Sequence, residues 1–232
     1  MSGQDATIWH DSARAHGGAV NALYERCQAA YHAFDELPKL VDHLRILAVN
    51  AELASARAGD HGRAVRVLTQ FAVECVTRLM GLVPELVGLK KRTYGLAGGI
   101  LRAASDIAKL EAAGARVMNA GTKDALLVLD GAWRARLAEL AIAAAQLTLT
   151  HNGLVDIAKA AREVMMQTEI ISANIAIEST SAGPFEAELR AIADTMRGRV
   201  DELRAMIDGA ARALRSAAET NHALAAFGAA GR

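Results

Sequence analysis

Aromatic residues and prolines are scarce in this chain. Phe, Trp and Tyr together make up 4% of its 232 residues, and only three prolines occur. Sheets depend on aromatic and β-branched side chains, and proline interrupts helices. Hydrophobic residues nevertheless reach 52%, with Ala and Leu dominant. This composition predicts an all-α protein.

Net charge is also absent, because 26 basic residues balance 26 acidic ones. A nucleic-acid-binding protein or one that binds an anionic membrane surface normally carries a basic patch or stripe. We therefore expect no nucleic-acid partner.

Long hydrophobic runs are missing as well. The longest apolar tract, residues 137–149, is interrupted by Glu139 and Gln146 and is shorter than the roughly 18 residues that a spanning helix needs. Residues 1–5 lack the basic and apolar regions of a signal peptide. We expect a soluble, cytoplasmic protein without membrane insertion.

The chain has few residues suited to catalysis or metal binding. Cys27 and Cys75 are the only cysteines and show no CxxC spacing, which argues against a disulfide framework. No GxSxG, HExxH, P-loop or dinucleotide fingerprint is present. Glu219 and His222 form the single ExxH motif, whereas a carboxylate metal site in a bundle uses two. We predict no enzyme activity, no catalytic residue, no cofactor and no metal.

Turn signals divide the chain into four long arms. They stand at Gly59–Gly62, at residues 119–122 and at Gly183–Pro184. Continuous helices that fill these arms would be long, and long helices without strong caps predict coiled coils. Inside the first two arms, Pro38 and Pro84 are each expected to cause a kink or a local break.

Hydrophobic residues recur every seven positions in the last two arms, with a second series interleaved. The third arm contains the series Trp133, Leu140, Leu147, Leu154, Ala161, Thr168, Ile175 and the series Leu137, Ala144, His151, Ala158, Met165, Ser172, Ser179. The fourth arm contains Leu189, Met196, Leu203, Ala210, Ala217, Leu224 and Ala193, Val200, Ile207, Leu214, Asn221. We predict a long antiparallel four-helix coiled-coil bundle made of two tandem hairpins. Residues 1–120 form the first hairpin, with its tip near 58–63, and residues 121–232 the second, with its tip near 182–186.

Two segments, one in each half, share a pattern. Residues 46–59 read ILAVNAELASARAG, and residues 170–183 read IISANIAIESTSAG. Aligned without a gap, the two segments are identical at five positions. The identical pairs are Ile46/Ile170, Asn50/Asn174, Ser55/Ser179, Ala58/Ala182 and Gly59/Gly183. The sequence therefore indicates a duplicated helical hairpin.

Residues 46–63, which continue through Asp60-His61-Gly62-Arg63, resemble the cytoplasmic signalling tip of methyl-accepting chemotaxis receptors. In the second copy, Gln167-Thr168 precedes the tip as it does in that family. The resemblance covers residues 43–80 and 165–205. It implies a covalently fused equivalent of the four-helix receptor dimer, without membrane or sensory regions.

The resemblance also implies partners and a binding surface. In the family, the tip binds a histidine kinase, its coupling adaptor and other receptors, so we expect these partners here, with homo-oligomers as a further expectation. The residues expected to form the interaction surface are Ile46, Asn50, Leu53, Arg57, Gly59, Gly62, Arg63, Val67, Ile170, Asn174, Ile177, Glu178 and Gly183.

Departures from the family pattern leave two other functions open. A family Glu is replaced by Ala54 in the first copy, and a family Arg by Ser181 in the second. Arg57 and Glu178 survive in opposite copies, and we expect them at the same end of the bundle, where they could pair; independent drift of two exposed charges is the alternative. The second functional hypothesis is a structural scaffold derived from a receptor without kinase control, and the third is a ligand- or metal-sensing helical bundle.

Overall fold

The computed structural model describes the backbone of residue 18 and of residues 20–120 and 123–230, and the side chains of residues 18, 20–117, 125 and 128–215. Its helices are α1 (20–33), α2 (Leu37–Arg57), α3 (Arg63–Ala120), α4 (Lys123–Glu178) and α5 (Glu186–Ala230). Short 3-10 helices occupy Gly59–Gly62, Ser179–Ser181 and Gly183–Phe185. No strand occurs in the described residues, which confirms the predicted all-α class. None of their helices is long and apolar enough to cross a membrane.

Pro38 and Pro84 differ in their effect on the helices. Pro38 lies in the first turn of α2, directly after a turn over residues 34–36. A first-turn proline lacks only an N–H that would have had no helical partner, so the predicted break is found there. Pro84 lies inside α3, which continues through it without interruption. Buried Leu79 and Leu86 on either side of Pro84 hold that helix in place.

The predicted seven-residue repeats coincide with the buried side chains of α4 and α5. In α4, both series are buried from Leu140 to Ser179 except at Ala144, which is half-buried, as are Trp133 and Leu137. In α5, both series are buried from Leu189 to Leu214. The remaining predicted positions, Ala217, Asn221 and Leu224, lie outside the described side chains.

Sequence reading missed a comparable repeat in α3. Buried residues recur there every seven positions, namely Val65, Ala72, Leu79, Leu86, Thr93, Ile100 and Ile107. The series is hard to recognise because Ala and Thr alternate with larger aliphatic residues, and because Pro84 suggests an interruption.

Contacts divide the chain into two compact units that cut across the long helices. Unit 1 comprises Met1–Ala29, Leu89–Gly153 and Ala213–Arg232, and unit 2 comprises Ala30–Gly88 and Leu154–Arg212. The predicted boundary between the hairpins falls between Ala120 and Gly121, and Gly121 and Thr122 lie outside the described residues.

Inside unit 2, polar contacts join the four helices α2 to α5 in a closed ring. They are the contacts of Arg66 Nη2 with the Ser55 carbonyl oxygen at 3.5 Å, Arg78 Nη1 with Gln167 Oε1 at 2.7 Å, Arg162 Nη2 with Asp208 Oδ1 at 2.8 Å, and Arg57 Nη2 with Glu188 Oε1 at 2.5 Å. Through these contacts, α2 and α4 each touch both α3 and α5.

In unit 1, α3 and α4 pack against each other through charged and aliphatic contacts. Arg136 on α4 lies 3.4 Å from Asp106 on α3. Gly153 on α4 faces Leu89, so closely that a Cβ at Gly153 would lie 3.0 Å from the leucine Cδ1. A side chain at this position would therefore require the Leu89 methyl groups to move by a few tenths of an ångström.

Candidate protein-interaction site

The two turns of unit 2 end their helices in the same way. Gly59 lies just after α2 and has a φ of 60°. Gly183 lies just after the 3-10 helix Ser179–Ser181 that ends α4, and it has a φ of 57°. They are the only residues with positive φ in the described part of the chain. Glycine adopts this left-handed conformation without the Cβ penalty of other residues, and it commonly terminates helices. The two predicted turn glycines therefore have the same backbone role.

Hydrogen bonding repeats in the same register. The hydroxyl of Ser55 donates to the Glu52 carbonyl oxygen at 2.8 Å, and that of Ser179 donates to the Ala176 carbonyl oxygen at 2.7 Å. Both serines are fully buried. A buried hydroxyl must find a partner, and each serine uses the carbonyl three residues earlier. The 3-10 helices after α2 and α4 also contact each other, so the two turns lie together at one end of unit 2.

The helix that precedes each of the two turns carries an exposed stripe of side chains, on α2 before the first turn and on α4 before the second. Ile46, Asn50 and Leu53 lie on one face of α2, because residues four and seven positions apart project in nearly the same direction. The side chains of Ile46 and Leu53 are 52% and 57% exposed, although aliphatic. Asn50 is exposed between them. We call these three residues the first stripe.

The equivalent face of α4 carries Ile170, Asn174 and Ile177, which we call the second stripe. Ile170 and Ile177 are 61% and 65% exposed, and Asn174 is exposed as well. Single exposed aliphatic residues are common on protein surfaces. Here two exposed aliphatic residues flank an exposed amide, and the arrangement is repeated at matching positions of the two copies.

Arg57, at the end of α2, makes an internal contact. Its guanidinium donates to Glu188 Oε1 on α5 and lies 5.8 Å from the centre of the Phe185 ring. Glu178, with which Arg57 could pair, lies half-buried at the end of α4. Within the chain, the observed acidic partner of Arg57 is Glu188.

The remaining predicted residues lie on the first turn and on α3. Gly62 is buried, and a Cβ there would lie 2.1 Å from the Ser55 carbonyl oxygen. Arg63 is exposed and lies 3.6 Å from Asp60. Val67 is half-exposed and is followed one helical turn later by half-exposed Phe71. These two residues form an apolar patch on α3 beside the first turn, separate from the two stripes.

Sequence reasoning missed Phe71, Phe185 and Glu188. Phe71 could have been found from its four-residue spacing after Val67. Glu188 is 131 positions from Arg57, and no local pattern connects them. Phe185 stands where the family pattern is lost, so the resemblance offered no guide.

The side chains around the turns are aliphatic, amide, hydroxyl and charged groups. In the described residues, no group of three or more His, Cys, Asp or Glu side chains is arranged to hold a metal ion. Cys75 is buried beside Gln167, with its Sγ 3.7 Å from the amide oxygen, and burial raises the pKa of this thiol. A raised thiol pKa disfavours the nucleophilic thiolate. The stripes supply aliphatic contacts, and Asn50 and Asn174 supply hydrogen-bonding groups.

The chain matches no family model, and comparisons with curated proteins and with solved structures return no match.

Proposed function

We propose that this chain is a chemoreceptor-like signalling or adaptor protein that binds a chemotaxis histidine kinase, its coupling adaptor or chemoreceptors through the turn end of unit 2. The observation that carries the proposal is the duplicated surface, in which an exposed aliphatic–Asn–aliphatic stripe precedes a left-handed glycine in both copies. The resemblance of residues 43–80 and 165–205 to the receptor tip supplies the class of partner. The same resemblance favours a cytoplasmic location.

We further infer that the helices form an antiparallel four-helix bundle of two tandem hairpins. In unit 2, Arg162 contacts Asp208, while Glu169, later on α4, contacts Arg204, earlier on α5. This reversed order supports antiparallel α4 and α5. The buried seven-residue repeats support coiled-coil packing.

A receptor-derived scaffold without kinase control is the second candidate. Arg57 is engaged by Glu188 and Phe185 within the chain, which reduces its availability to a partner. The second turn, Pro184-Phe185-Glu186-Ala187, has lost the Gly-Arg element that Gly62-Arg63 preserves in the first. Both features favour a protein that binds without controlling a kinase.

Binding of purified partners tests the proposal. Immobilised full-length protein is exposed separately to a chemotaxis kinase and to a coupling adaptor, and kinase autophosphorylation is measured in parallel. Leu53→Asp should abolish binding, because it places a charge in the first stripe. Val87→Asp is the matched control, since Val87 on α3 is also 57% exposed but lies outside both stripes.

The two candidates give different outcomes. Binding that depends on Leu53 and changes autophosphorylation supports the signalling function. Binding with unchanged autophosphorylation favours the scaffold. If neither protein binds, or if Val87→Asp weakens binding as much as Leu53→Asp, the proposed surface is wrong.

A further inference from the structure

A second apolar seam runs along the outside of α4 in unit 1. Its members alternate at three- and four-residue spacing, the pattern of a coiled-coil seam, and all are exposed: Val128, Gly131, Ala135, Ala138, Ile142, Ala145, Leu149 and Asn152. We call this set the outer seam. At about 1.5 Å per residue it extends over about 36 Å of helix.

The outer seam has large exposed aliphatic side chains and no charge. Val128, Ile142 and Leu149 are 74%, 60% and 71% exposed. The solvent face of a helix normally carries charged residues. Continued along α4, the same spacing does meet charges, namely Asp156, Lys159 and Glu163.

The solvent face of α5 shows the usual pattern. Asp194, Asp201 and Asp208 recur there every seven residues, beside the buried series of that helix. The outer seam therefore departs from the charged solvent face of α5.

The outer seam is complementary to itself when two copies run in opposite directions. A two-fold axis that crosses the outer seam at the level of residue 140 places Leu149 of one copy opposite Gly131 of the other, and Ile142 opposite Ala138. Leu149 and Ile142 then each face a small residue, Ala135 faces Ala145, and Val128 faces Asn152. Pairing a large residue with a small one fills the space between helices at the Leu149 and Ile142 layers. A parallel pair in register would instead set Leu149 against Leu149 and Gly131 against Gly131.

Nearby charges are compatible with this pairing. Glu139, beside the axis, receives hydrogen bonds from Arg136 Nη1 at 2.7 and 2.8 Å, so its charge is already neutralised. Arg134 is paired with Asp130 at 2.9 Å. A membrane surface is a poorer occupant, because helices that lie on membranes carry Lys or Arg along their polar face beside a large apolar one, and the outer seam is narrow and rich in Ala and Gly.

We propose that the outer seam is a self-association surface that pairs with the outer seam of a second copy of this chain, antiparallel and related by two-fold symmetry. This pairing uses residues of unit 1 and is independent of the proposed binding of chemotaxis partners by unit 2. Purified protein alone is sufficient to test it.

Sedimentation equilibrium of the full chain tests whether the seam associates. We expect a monomer–dimer equilibrium, with Leu149→Lys and Gly131→Leu each raising the dissociation constant at least about tenfold, the first through loss of an apolar contact and the second through a steric clash. Gly198→Leu on α5 is the matched control: both glycines are exposed within helices, and a Cβ at either would meet nothing within 4 Å. Circular dichroism establishes that the variants remain helical.

Cross-linking tests the direction of pairing. Ala135→Cys and Ala145→Cys variants are treated with a short bismaleimide, separately and as a mixture. The antiparallel register predicts a cross-linked dimer in the mixture and much less from either variant alone; native Cys27 and Cys75 are buried. A protein that stays monomeric at submillimolar concentrations overturns the proposal. So does a dimer that is unaffected by both seam substitutions, or one in which each cysteine variant cross-links best with itself.

Discussion

The backbone of Gly62 packs directly against the carbonyl group of Ser55, and a Cβ at Gly62 would lie 2.1 Å from that oxygen and 2.9 Å from its carbon. Both atoms belong to the backbone, so no side-chain rotation can relieve the overlap. This contact sets how tightly the first turn joins α2 to α3.

We expect Gly62→Ala to lower the free energy of unfolding by about 1–3 kcal/mol, the usual cost of overpacking. Gly81→Ala is the matched control, because Gly81 lies inside α3 and a Cβ there would meet no atom within 4 Å. That change should stabilise the protein by about 0.5–1 kcal/mol through helix propensity. Urea denaturation followed by circular dichroism compares the two. Equal effects would contradict the importance of the Ser55 contact.

The left-handed glycines give a second prediction. Gly59→Ala and Gly183→Ala should each cost about 1–2 kcal/mol, because a Cβ in this conformation approaches the backbone closely. Apart from the glycine itself and its two chain neighbours, no atom lies within 4 Å of either Cβ position, so the cost arises from local backbone conformation alone. Gly95→Ala in α3, which also has open space, should not be destabilising. If only one turn glycine is sensitive, the two turns do not share their backbone role in solution.

His151 provides a pH-dependent test. It is buried in unit 1, its Nδ1 has no hydrogen-bond partner, and burial lowers its pKa from the ordinary value of 6.5. Below about pH 6.5 the unfolded chain binds a proton that the folded chain resists, so acid favours unfolding. The stabilising effect of neutral His151 is present above pH 6.5 and is lost as the pH falls towards the lower, folded-state pKa.

Thermal unfolding between pH 7.5 and pH 5 measures this effect. His151→Leu should flatten the pH dependence relative to the unsubstituted chain. His61→Leu is the control, since His61 is exposed in the first turn. An unchanged pH dependence in the His151 variant would show that other groups govern acid stability.

The fold class and much of the core could be predicted from the sequence. Leu147, Leu154 and Leu203 lie at the predicted seven-residue positions and are fully buried. The pattern succeeds there because a helix has one repeat length and the core faces one side of it. At Pro84 the helix continues without a break, and buried neighbours on either side compensate for the loss of one backbone hydrogen bond.

The candidate site was predictable only as far as local geometry determines it. The turn glycines and the exposed stripes follow from short-range spacing within one helix or turn. The partner of Arg57 does not, because Glu178 and Glu188 are both acidic residues near the second turn, and the choice depends on how α2 packs against α5. Long-range pairing of exposed charges leaves no periodic signal in a single sequence.

The contact between Arg57 and Glu188 gives the last prediction. The side chains are 58% and 43% exposed, so water and salt screen their attraction. A double-mutant cycle with Arg57→Ala and Glu188→Ala should give a coupling energy below about 1 kcal/mol, falling further as salt is raised. Phe185→Leu retains an apolar side chain but removes the ring beneath the guanidinium, and it should cost no more than about 1 kcal/mol. A coupling of several kcal/mol that is insensitive to salt would instead mean that the pair is shielded from solvent, and that it fixes the two turns together much more strongly than its exposure implies.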